Sequence, residues 1–111
     1  MKRILFGELV LHIAAWELAG AQMVRGEAVG ELRPDQDWPS AGEPAELRWR
    51  ETINKLDAAH DELSEAIRLC GPERLSETAP GKDYSVYILL HGIVQHNLYH
   101  AGQIAILRKL A

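Results

Sequence analysis

The chain has 111 residues, which is room for one domain at most. Its 47% hydrophobic content can supply a core, while the net charge of −4 leaves no basic footprint for nucleic acid. No basic cluster favours a membrane surface, and no apolar run reaches the roughly 18 residues that span a bilayer.

The opening Met1-Lys2-Arg3-Ile4-Leu5-Phe6-Gly7-Glu8 mimics a secretory leader, but Glu8 interrupts it and no small-residue cleavage site follows. It reads instead as the start of a helix over about 3–28, stopped at Gly26 or Gly30. The seam of that helix is Leu5, Leu9, His12, Trp16, Ala19 and Met23, alternating steps of four and three as in a buried bundle. Segment 30–44 then breaks the pattern with Pro34, Pro39 and Pro44 and with Gly30 and Gly42.

A second helix is expected over about 44–70, with Pro44 in its first turn. Its seam is Trp49, Ile53, Leu56, His60, Leu63, Ile67 and Cys70, and Gly71-Pro72 stops it. The connector to Asp83 has no period, apart from one expected helical turn at 72–75. A third helix over about 84–110 is capped by Asp83 or Ser85, with the seam Leu89, Ile93, His96, His100, Gln103 and Leu107. No strand pattern or repeat appears. Cys70 is the lone cysteine, so no internal disulfide forms, which fits a cytoplasmic protein.

His96 and His100 stand one helical turn apart on one face, where two imidazoles can grip one ion. His12, distant in sequence, offers a third ligand. All three lie in seams. Interior histidines need partners for both ring nitrogens, and three gathered without a shared partner oppose folding. A divalent cation accepts one lone pair from each neutral ring and leaves the other nitrogen to a supporting acceptor. Gln103, one turn after His100, and Glu8, one turn before His12, are candidates for that support.

His91 lies about 140° around the helix from His96 and is read as structural or exposed. His60 reads as a hydrogen-bonded core histidine, in preference to a fourth ligand or a proton shuttle. Trp16 and Trp49 are expected in the core, Tyr99 in packing, and Trp38 is a candidate to cover a pocket. Cys70 reads as a small apolar residue.

The tail His96-Asn97-Leu98-Tyr99-His100-Ala101-Gly102-Gln103-Ile104, with His12, Trp16 and Glu17, resembles the DinB/YfiT-like family of metal-binding four-helix bundles. The resemblance implies an all-α fold: three long antiparallel helices of an up-down bundle forming a single domain over 1–111. It makes His12, His96 and His100 the metal ligands. The His12 motif normally sits on that family's second helix, so its first helix has no counterpart here. The groove left behind is expected to be filled by a partner chain in a homodimer, by another subunit, or by sequence preceding this start.

Three nitrogen ligands leave an open coordination position, the catalytic arrangement. Zinc or nickel come first, with iron, manganese or copper also compatible. The resemblance implies a metal-dependent transferase moving a low-molecular-weight thiol onto an electrophile. The alternatives are a metal-assisted hydrolase and a non-catalytic metal-binding or oligomerising module. No general acid or base is assigned; Glu8 and His60 are the first to test.

Overall fold

A computed structural model describes residues 2–40 and 46–110 of the chain. Three long helices dominate: α1 (Lys2–Val24), α3 (Glu46–Cys70) and α4 (Val86–Leu110). A short helix α2 (Pro34–Asp37) lies in the Pro-rich break, and a 3-10 turn (Pro72–Ser76) follows α3. Pro44 and its expected place in a first helical turn lie outside the described residues. No helix among the described residues is long and apolar enough to cross a membrane.

Each boundary has a local cause. Gly26 takes φ 97°. Around it, Gly26 N–H donates to Met23 O and Glu27 N–H to Gln22 O, the Schellman pattern that ends α1 before residue 28. The Arg74 guanidinium donates to Val24 O at 2.7 Å and satisfies another terminal carbonyl. Gly71 at φ 80° ends α3. Ser85 caps α4, its hydroxyl accepting from Ile88 N–H at 3.1 Å.

Helix α1 is the centre of the fold. Val10, Leu11, Ile13 and Ala14 are buried as well as Leu9, Ala19 and Met23, so more than one stripe is covered. A helix apolar on most sides is a core helix. Helices α3 and α4 each pack against α1 and scarcely against one another. A close junction is Gly20, where a Cβ would lie 2.3 Å from Ile93 Cδ1 and 3.7 Å from Leu63 Cδ1. The absent side chain lets both neighbours reach the α1 backbone.

The direction of α3 departs from the expected alternation. Its pairs with α1, Glu17 with His60 and Gly20 with Leu63, advance together, so the two helices run parallel. The long connection after Val24 carries the chain back to the same end. Helix α4 pairs in the opposite sense, His12 with His96 and Gly20 with Ile93, and is antiparallel to α1.

The buried face of α3 is Thr52, Ala59, Leu63 and Ala66, turned from the expected seam. Alanines bring α3 close to α1, so Ile67 is left exposed and His60 points outward with its side chain 66% exposed. The core reading of His60 is therefore corrected. Trp49 is half-buried and Trp16 is 38% exposed, so neither is a core tryptophan. Tyr99 is exposed, with its ring 5.2 Å from that of His100, His91 is exposed beside Tyr87, and Cys70 lies half-buried against the core.

Candidate metal centre

Helix α1 supplies His12, and one face of α4 supplies His96 and His100 a turn apart. Their ligating atoms all lie within 4.8 Å of one another, and His12 Nε2 stands 2.9 Å from His96 Nε2. Nitrogens about 2.0–2.1 Å from one zinc stand about 3.3 Å apart in a tetrahedron. That separation falls between the two observed values. His12 and His100 are buried and His96 is half-buried.

The far side of each ring explains the inward side. His12 Nδ1–H donates to the Asp37 backbone carbonyl at 2.6 Å, with Asp37 Oδ1 at 3.1 Å. His100 Nδ1–H donates to Gln103 Oε1 at 2.5 Å. His96 Nδ1–H donates to Asn97 Oδ1 at 3.3 Å. With all three Nδ1 atoms protonated, all three Nε2 atoms carry lone pairs. Two such lone pairs at 2.9 Å repel unless a proton or a cation lies between them. A proton is disfavoured at His96, because burial holds its pKa below the ordinary imidazole range. The positive forms of His100 and His12 would lower it further, while the Asn97 hydrogen bond and Asp37 act in the opposite direction. A divalent cation fits this donor set and removes the conflict.

Helix α2 closes one side of the cluster. Pro34 starts it, and Arg33 N–H donates to Gln36 Oε1 at 3.0 Å. The turn delivers Asp37 to His12 and lays the Trp38 ring on the His12 ring, 3.7 Å apart and 5° from parallel. Trp16 Nε1–H donates to the same Asp37 carboxylate at 2.7 Å, and its ring stands 5.2 Å from His96.

Asp37 thus takes the supporting place expected of Glu8, while Gln103 takes the one expected of it. Trp38 does cover a site, as its place in the loop suggested. Neither Asp37 nor Asn97 was singled out from the sequence. The only signal for Asp37 was an acidic residue beside a tryptophan in a loop without a period.

Removing the Asp37 carboxylate leaves the backbone carbonyl still facing His12. Asp37→Ala should therefore weaken zinc binding by only about tenfold, the low end for a supporting acceptor. Competition titration with a zinc chelator measures it.

An apolar cleft opens on the Trp16 side. One cavity of about 370 Å³ is lined by His96, Trp16, Tyr84 and Ile88. A second of about 310 Å³ shares Trp16 and Tyr84 and extends to Lys82, Glu31 and Asp37. The two place an organic molecule's worth of space beside His96.

No curated protein and no solved structure matches the chain. A family model described as the DinB superfamily matches residues 6–104. That span takes in all three clustered histidines and the helices that carry them, and on that match this chain belongs to the DinB superfamily.

Proposed function

We propose that the chain is a metal-dependent enzyme that moves a small thiol onto an electrophile. His12, His96 and His100 hold one divalent ion, zinc or nickel, through their Nε2 atoms. The observation that carries this reading is that all three Nδ1 atoms face oxygen acceptors, while the ligating atoms of the three rings lie within 4.8 Å of one another and the Nε2 atoms of His12 and His96 are 2.9 Å apart. When bound, the ion lowers the pKa of a thiol or water at its open position.

The residues around the cluster supply the rest. Asp37, Gln103 and Asn97 orient the rings, and Trp38 shields His12 from water. The cleft beside Trp16 and His96 receives the body of the substrate, with Lys82 and Tyr84 at its far side. Calorimetry with small thiols, with and without zinc, tests the reading. Binding that requires zinc supports it. Zinc binding without any thiol binding favours a non-catalytic metal module instead.

The active form is proposed to be a homodimer. Between Val86 and Leu107, α4 carries no Asp, Glu, Lys or Arg, yet Tyr87, Ile88, Val94, Leu98, Tyr99 and Ile106 are each more than half exposed. A face so apolar and so uncharged suits a second copy of itself, because no like charges meet across a two-fold axis. Light scattering at micromolar concentration should show a dimer, and Leu98→Glu should dissociate it. A compact monomer of the unaltered protein contradicts the proposal.

A further inference from the structure

We propose that Glu17 is a positioning residue for the histidine cluster, acting through Asn97 to hold His96 in its Nδ1–H tautomer. The inference deepens the metal-site reading and rests on it for its purpose, though its first readout needs no metal.

Glu17 is 4% exposed, between α3 and α4 on the central helix. Its Oε1 accepts from Asn97 Nδ2–H at 3.1 Å, with His60 Nδ1 3.4 Å away on the outer side. Its Oε2 is buried without a hydrogen-bond partner among the described residues. Burying a carboxyl group with one unsatisfied oxygen costs stability, and a leucine would fill the space without that cost. The group therefore does something that an apolar residue cannot.

The Asn97 amide shows what that is. An amide has a donor end and an acceptor end. An acceptor at Glu17 draws the Nδ2 end toward itself and turns Oδ1 toward His96 Nδ1, 3.3 Å away. An oxygen there demands a proton on Nδ1 and so leaves Nε2 bare, facing His12 Nε2 at 2.9 Å. With the amide reversed, its NH₂ would face Nδ1, the proton would move to Nε2, and the place of the ion would be filled by hydrogen. Glu17 thus selects the tautomer without touching the histidine.

The test reads the His96 ring nitrogens of the metal-free protein by long-range ¹H–¹⁵N NMR, beside zinc affinity from competition titration. In the unaltered protein His96 Nδ1 should carry the proton. In Glu17→Leu the protonated nitrogen should shift toward Nε2, and zinc affinity should fall roughly 10–100-fold. Glu17→Gln keeps an acceptor for Asn97, so it should preserve the tautomer and stay within about threefold of the original affinity. Asn97→Leu removes the intermediary and should shift the tautomer as Glu17→Leu does, which keeps the test decisive should Glu17→Leu fail to fold. An unchanged His96 tautomer in either folded leucine variant overturns the proposal. Failure of the unaltered protein to bind zinc would instead overturn the metal reading, because the tautomer is measured without it.

Discussion

His100→Ala should weaken zinc binding by at least about a hundredfold. Structural zinc sites with four ligands bind with roughly 10–16 kcal/mol, so one ligand is worth about 3 kcal/mol, a factor of about 100. His100 is 6% exposed, and the two remaining histidines, His60 and His91, are exposed and outside the cluster, so neither takes its place. The effect should also show in thermal melts. Zinc at about 100 times the original dissociation constant stabilises the unaltered protein by about 2.7 kcal/mol. The same zinc should stabilise the variant by only about 0.4 kcal/mol. His91→Ala is the control: that histidine is exposed and outside the cluster, so affinity should be unchanged.

Gly20→Val should destabilise the fold by about 3 kcal/mol, the upper part of the usual cost of overpacking a core. Its Cβ would meet Ile93 Cδ1 at 2.3 Å, and Ile93 is only 5% exposed and has little room to turn. The gain in helix propensity over glycine is a few tenths of a kcal/mol and cannot offset the clash. Ile93→Ala alone should cost about 2–5 kcal/mol through the cavity it leaves. Combined, the two changes exchange volume across one contact, so the double variant should lose less stability than the sum of the two single losses. A coupling energy of about 1–3 kcal/mol is expected from residues in direct contact. Strictly additive losses in urea titration would mean that α1 and α4 do not meet at Gly20. Since His96 follows Ile93 by one turn on α4, Gly20→Val should also weaken zinc binding.

The parts of this architecture that repeat along a helix were readable in the sequence. The i, i+4 step from His96 to His100 and the further turn to Gln103 place those residues on one face whatever surrounds them. His12 falls in a seam for the same reason. Helix α1 was readable as a helix, but not as the centre of the fold, because its burial depends on neighbours on several sides. The face of α3 was misjudged because large residues such as Ile67 suggested a seam, whereas Ala59 and Ala66 allow the closer approach. His60 moved outward with that rotation. The parallel run of α1 and α3 was hidden in a connection long enough to return the chain to either end. Asp37 and Trp38 reach His12 across 25 and 26 positions of chain, from a segment with no period to betray its direction. Of the two expected stops for α1, Gly26 and Gly30, the helix takes the first, through the left-handed backbone of Gly26.

X-ray absorption at the zinc edge of the loaded protein addresses the convergence of the three rings most directly. Three imidazole nitrogens at about 2.0–2.1 Å, with one further light or sulfur atom that changes when a small thiol is added, is the predicted first coordination sphere. Two or fewer imidazoles, or a fourth ligand from the protein that no thiol displaces, would contradict it.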